Sequence, residues 1–198
     1  MVRPGRDTLQ GLMEIDETSL GEPEEDVHGR QTESKAILAV AAEIRGKAIG
    51  RIRLRRVPDV SGESLVPFVC DVVAPGSVIR TDGWPGYAGL AKKGYRDRVK
   101  NLSRSKRAAH ELLPSTHRVA SLLKRWLLGT HQGAVSHEHV DYDLDKLTFR
   151  FNRRTSKTRG LLFDRLAQQA VATSPAPYHM LVGAAKQRNH NIYGLVGV

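Results

Sequence analysis

Two aspartates 66 residues apart, Asp16 in "MEIDETSLG" and Asp82 in "SVIRTDGWPGY", each close a short run of apolar and β-branched residues. Such runs, bounded by Gly and Pro, are strand signals, so each acid stands at the C-terminal edge of a strand. An Asp in that position can be a plain turn former, because its carboxylate accepts from nearby backbone amides. If the two strands are neighbours, however, both carboxylates project from adjacent edges and repel one another unless a cation bridges them. Hard oxygen ligands of this kind select Mg²⁺ or Mn²⁺. Such ions can generate a nucleophile and stabilise the leaving oxygen of a phosphodiester. A third ligand from a helix completes a site of this type.

The elements that must position these acids can be read from periodicity. Strands are expected over 11–21, 36–44 and 48–57, the last alternating Ile49, Ile52 and Leu54 with Arg51, Arg53 and Arg55, a half-buried strand with a basic outer face. "SGESLVPFVCDVV" reads as a helix with a capping-box-like start at Ser61 and Ser64 and an awkward Pro67. The strand carrying Asp82 follows, then a short helix closed by Gly94, then a strand in "YRDRVKNLS". Val119, Leu122, Leu123, Trp126 and Leu127 fall on one face of an amphipathic helix, and two more helices are expected around 137–154 and 159–171. Three strands, helix, strand, helix, strand and then helices make a mixed α/β fold with a central sheet. The segment from 22 to 35 reads as an acidic loop, and the tail from Thr173 as loosely ordered.

Composition narrows the function classes. The chain has 198 residues and net charge +10, but residues 1–34 hold 3 Lys/Arg against 9 Asp/Glu, whereas 35–198 hold 28 against 12. So basic a body is the footprint of a polyanion binder, because neutralised phosphates release counterions. No apolar run reaches the ~18 residues of a membrane span. The N-terminus lacks a signal-peptide core. A single cysteine, Cys70, rules out an internal disulfide and a Cys-rich zinc site, and suits a reducing cytoplasm. "HEH" at 137–139 lacks the i, i+4 spacing of a helical zinc site, and there is no phosphate-binding glycine loop. No strand–turn–helix elbow surrounds Ser121, which argues against a hydrolase triad. "FRFNRRTSKTR" gathers Arg150, Arg153, Arg154, Lys157 and Arg159, suited to phosphate contacts, beside Phe149 and Phe151, which suit a core.

Together "EIDETSLG", "RTDGWPGY", "SLLKRWLLGTHQGAVS" and "FRFNRR" resemble the catalytic domain of bacterial insertion-sequence transposases of the ISXO-like group, within the DDE superfamily. The resemblance implies an α/β, RNase H-like (integrase-type) mixed sheet flanked by helices. It spans about residues 12–171, leaving 1–11 as an extension and 172–198 as a tail. It implies a DNA transposase that hydrolyses a phosphodiester at the element's end and transfers the strand to target DNA with Mg²⁺ or Mn²⁺. Such a protein works in the bacterial cytoplasm near the nucleoid, as a homo-oligomer on double-stranded DNA.

By that resemblance Asp16 and Asp82 match the first two acids, and the third position falls at His117, 35 residues beyond Asp82, with Lys124 seven further on. The resemblance therefore makes Asp16, Asp82, His117 and Lys124 catalytic, the first three as metal ligands, with Lys124 and Arg125 joining the arginine cluster on DNA. Glu111 is the other candidate for the third acid. The family usually carries a zinc segment and a DNA-recognition domain before the catalytic part. About ten residues precede the first strand here, so an N-terminally shortened copy is expected. A catalytically silent, regulatory DNA-binding remnant is the alternative.

Overall fold

In the computed structural model the described residues are 6–21, 35–99, 112–131, 140–158, 160–175 and 177–178. Five strands form one mixed sheet: β1 (Leu12–Leu20), β2 (Ala36–Arg45), β3 (Ala48–Val57), β4 (Val78–Thr81) and β5 (Arg96–Val99), in the order β3-β2-β1-β4-β5. The first three strands form an antiparallel meander, while β4 runs parallel to both β1 and β5. Helices flank it: α1 (Gly62–Val72), α2 (Pro114–His131), α3 (Val140–Asn152) and α4 (Gly160–Val171). This is the RNase H-like, integrase-type mixed sheet expected from the sequence.

Alternation along β1 and β2 builds two cores. Met13, Ile15, Ile37, Ala39 and Ala41 face α1, where they meet Leu65, Phe68, Val69 and Val72. Leu38, Val40 and Ala42 face the other way, with Ile52 and Leu54 of β3, against Val119, Leu123 and Leu127 of α2 and Leu144 of α3. Pro67 lies inside α1 after all. An interior proline costs about 3 kcal/mol or more. Four buried side chains of that helix each return about 1.5–3 kcal/mol, so burial prevails. The expected capping box is absent: Ser61 makes no side-chain cap, and its own amide donates instead to Asp59 Oδ1 at 2.9 Å.

Two further differences from the expected pattern concern β3 and the N-terminal segment. The arginine face of β3 is not a solvated outer face, since Arg53 is only 5% exposed. Residues 6–9 lie over it: Arg53 donates to the Asp7 carbonyl at 2.7 Å and Arg51 to the Thr8 carbonyl at 3.2 Å. Leu9, fully buried, belongs to the α1-side core. Meanwhile the expected short helix between β4 and β5 is two single 3₁₀ turns, Pro85–Tyr87 and Ala91–Lys93, ending on Gly94 at φ 85°.

Candidate active site

Strands β1 and β4 stay in parallel register only from Leu12 to Glu14 against Val78 to Arg80. After Thr81 the β4 chain turns away, whereas β1 continues to Leu20 beside β2. A crevice therefore opens beyond the carboxyl end of β4, next to a strand that is parallel on one side and antiparallel on the other. Reversals of this kind in open α/β sheets are where ligands bind.

Asp16, Glu17 and Asp82 meet there, each offering a carboxylate oxygen within 4.8 Å of the others. Each acid is held by one bond, local for the two aspartates and from a distant residue for Glu17. The Glu17 amide donates to Asp16 Oδ1 at 3.0 Å, the Trp84 amide to Asp82 Oδ1 at 2.9 Å, and the Tyr87 hydroxyl to Glu17 Oε2 at 2.8 Å. Burial, then the charge and hydrogen bond of Glu17, push the Tyr87 phenol well above its ordinary value, so it remains a donor at neutral pH.

The turn in "DGWPG" follows from the same needs. Gly83 adopts φ 86°, a left-handed conformation that suits glycine. Pro85 opens the 3₁₀ turn, and a Cβ on Gly86 would sit 2.5 Å from the Val60 carbonyl. The Trp84 indole donates to that same carbonyl at 2.7 Å and packs on the α1-side core, so Trp84 is a packing residue. Asp82 is thus a turn former through one oxygen and a member of the acid cluster as well. The two readings of a strand-end aspartate coexist in one side chain.

Helix α2 brings the fourth group. It starts at Pro114, three residues before His117, with the proline at the first helical position where its missing N–H costs little. Glu14, 2% exposed and two residues before Asp16 on β1, accepts from the Ser115 amide at 2.7 Å and has Arg80 Nη1 at 3.8 Å from its other oxygen. A buried carboxylate at the first turn satisfies an orphan amide and suits the positive end of the helix dipole. That anchor, with Val119, Leu123 and Leu127, holds α2 against the sheet and sets His117 Nε2 at 3.6 Å from Asp16 Oδ2. His117 therefore stands beside Asp16, while the group of three converging ligand atoms contains Glu17 instead. Lys124 and Arg125 are exposed further along α2. Glu111 lies outside the described residues.

The arginine cluster after α3 gathers elsewhere, at the open edge of β3. Asn152 bonds both edge groups of Ile52, accepting from its amide at 2.7 Å and donating to its carbonyl at 3.1 Å. Arg154 donates to the carbonyls of Ile49 and Gly50 and stacks on Phe151 at 3.9 Å, so its guanidinium clasps β3. Arg153 stacks on Phe149 at 3.9 Å. Arg150 and Lys157 are exposed, and Arg159 lies outside the described residues.

Glu17 and Glu14 are the site residues that sequence reasoning passed over. Asp16, expected at the end of its strand, lies in the middle of β1 opposite Val40, because β2 pairs with β1 as far as Leu20. Alternation sends Glu17 to the opposite face from Asp16, which hides it; the visible signal is the adjacent acid pair. For Glu14 the signal is its i, i+2 relation to Asp16 on an otherwise apolar stretch.

All donors at the cluster are hard carboxylate oxygens, three on one crevice, which fits a divalent cation such as Mg²⁺ or Mn²⁺. No helix among the described residues is long and apolar enough to cross a membrane. No curated protein matches the chain. Among solved structures, the chain is similar to one in a cryo-EM structure of a simian T-cell lymphotropic virus intasome in complex with PP2A regulatory subunit B56 gamma. The two share 13% identity with a TM-score of 0.49, over 77% of this chain and 51% of that one. This chain thus spans about half the length of that relative. The profile of the ISXO2-like transposase domain matches residues 8–152, from the segment over β3 to the end of α3 and including Asp16 and Asp82. The chain belongs to the ISXO2-like transposase family.

Proposed function

We propose that this domain cuts the phosphodiester at the end of a mobile DNA element and joins the freed 3′ end to target DNA. The observation that carries the reading is the convergence of Asp16, Glu17 and Asp82 within 4.8 Å at the β1/β4 crevice of a transposase-family chain. Asp16, Asp82 and Glu17 would hold the ion, with His117 beside Asp16 as the further ligand. Bound Mg²⁺ or Mn²⁺ supplies Lewis-acid chemistry there, activating water and stabilising the leaving oxygen. Glu17 makes good the negative charge that His117 withholds from the family's third position. The Asx turn at Asp82 and the Tyr87 hydroxyl hold two of the carboxylates in place before any substrate arrives, which is the preorganisation that phosphoryl transfer relies on. His117, held by α2 against Asp16, orients that carboxylate. Lys124, two helical turns on, and Arg125 face the DNA backbone, together with Arg150, Arg153, Lys157 and Arg159. Arg154, tied to β3, contributes by shaping that surface.

The working unit in this reading is residues 12–171, with residues 6–9 packed on it, acting as an oligomer on double-stranded DNA in the cytoplasm near the nucleoid. The imidazole at the third position favours a second reading, a catalytically silent copy that binds DNA and regulates an active one. The experiment is cleavage and joining of a labelled, pre-nicked DNA end with Mg²⁺, Mn²⁺ or EDTA, beside Asp82→Asn checked for folding by circular dichroism. Metal-dependent products that vanish in the variant support the transposase reading. A folded protein that binds DNA equally well in EDTA, with no product in either metal, supports the silent copy.

A further inference from the structure

A second cluster of like charge sits away from the carboxylates. At the edge where β3, α3, α4 and the segment at residues 6–7 meet is a cavity of about 250 Å³. Five arginines line it, Arg6, Arg51, Arg53, Arg153 and Arg165, against two aspartates, Asp7 and Asp145. Arg51 is matched by Glu43, whose Oε1 lies 3.3 Å from its Nη2. The Arg53 guanidinium, by contrast, donates to the carbonyls of Ile52 and Asp7, neutral groups that fix its direction without cancelling its charge. Burial, then the neighbouring Arg6 and Arg51, pull the Arg53 guanidinium down to about 10. Burial lowers Arg6 as well, with Arg55 adding to the effect against Asp145.

Gathering five guanidiniums at a partly buried edge is costly unless anions share the space, and the lining sets only Asp7 and Asp145 against them. Moreover, the Gln169 side-chain oxygen, in a residue that lines the same cavity, is buried without a hydrogen-bond partner. A half-turn of that amide replaces the oxygen with an NH₂ donor, and the two orientations are nearly the same in shape. Guanidinium forks match the oxygens of a phosphate group two at a time.

We propose that this cavity is an anion site that takes a phosphate group between Arg6, Arg53, Arg153 and Arg165, with Gln169 as an additional donor. Its register separates it from the acid crevice: Arg53 pairs across β2 with Ala41, and Ala41 with Ile15 of β1, so two strand spacings of roughly 5 Å each intervene. The phosphate chemistry follows from the cavity itself; that the phosphate belongs to a DNA backbone rests on the transposase reading.

The test uses the whole chain in EDTA, so that the carboxylate cluster plays no part. Binding of a short labelled duplex is followed by fluorescence anisotropy over a salt series for the wild type, for Arg153→Gln with Arg165→Gln, and for Lys93→Gln. The last removes an exposed charge outside the cavity. Every DNA phosphate that the protein no longer neutralises flattens the slope of log affinity against log salt by about 0.9. The double variant is expected to flatten it by about one to two units while Lys93→Gln leaves it unchanged. Calorimetry with inorganic phosphate runs in parallel. Phosphate heat that disappears in the double variant, with the DNA slope unaltered, supports the same site with free phosphate as its occupant. Equal slopes in all three proteins with no phosphate heat overturn the proposal, as does a Lys93→Gln effect as large as that of the double variant. Arg53→Gln, a buried change, is added only if circular dichroism shows it folded.

Discussion

Carboxylates crowd at one place on this sheet and guanidiniums at another, and the two are held in different ways. At the β1/β4 crevice the side chains are short and the backbone does the fixing: an amide one residue on for Asp16, an amide two residues on for Asp82. At the β3 edge the side chains are long and reach across the fold, Arg53 to residue 7 and Arg154 back to residues 49 and 50. The difference teaches which half of a polar site can be read locally. A short acid at a strand end, such as Asp82, announces itself through the turn that follows. Arginines show where they point only once the distant carbonyls that receive them are in place.

The contrast can be broken or sharpened by substitution. The largest effect is expected at the crevice: on the proposed reading, Asp82→Asn should lower metal-dependent strand cleavage by about 1000-fold or more, since several kcal/mol of charge stabilisation would depend on the ion that the acid helps hold. Its denaturant midpoint should stay near wild type, and a collapse in stability would show that the acid is structural. Asn152→Ala should do the reverse. It strips the Ile52 edge groups of their partners, for a loss of about 2–3 kcal/mol in denaturant unfolding and a rise in aggregation.

Tyr87→Phe comes next, at about 1.5–2 kcal/mol, because Glu17 loses a buried donor. The folded-state phenol is raised above its unfolded value, so its contribution is fully present below pH ~10 and fades as pH climbs beyond it. Wild-type stability should therefore fall above pH ~10, and the phenylalanine variant should lose that component of the slope. The smallest effect is expected for Glu14→Gln, about 1 kcal/mol through the weakened hold on the α2 N-terminus. In that variant the NMR resonances of the His117 ring should shift, because α2 no longer seats it against Asp16 in the same way. Unshifted resonances would separate Glu14 from the site.

Much of this is legible in the chain itself. The succession of strands and helices, the two aspartates and the hydrophobic stripe of α2 follow from periodicity and turn chemistry. What is not legible depends on partners far away in sequence. Glu17 falls by alternation on the face of Met13 and Ile15, away from Asp16, and it joins Asp82 because β4 ends at Thr81 and leaves room. Arg51, Arg53 and Arg55 alternate like a solvated face, but residues 6–9 lie over Arg51 and Arg53, while Arg55 stays partly exposed beside Asp71. "FNRR" has the look of a phosphate-binding string, whereas Asn152 and Arg154 spend their donors on the edge of β3. The start of α2 at Pro114 is likewise fixed from afar, because the Glu14 carboxylate waits there for the Ser115 amide.

The Asn152 clasp also has a consequence in time. Its two bonds join residues 100 apart in the chain. During synthesis, β3 leaves the ribosome long before residue 152, so the nascent domain passes through a stage with Ile52 facing water on an open strand. Unpaired edges are the surfaces on which incomplete chains find one another. A sheet protected so late is exposed to misassembly while it is being made, and slower translation between β3 and α3 lengthens that exposure.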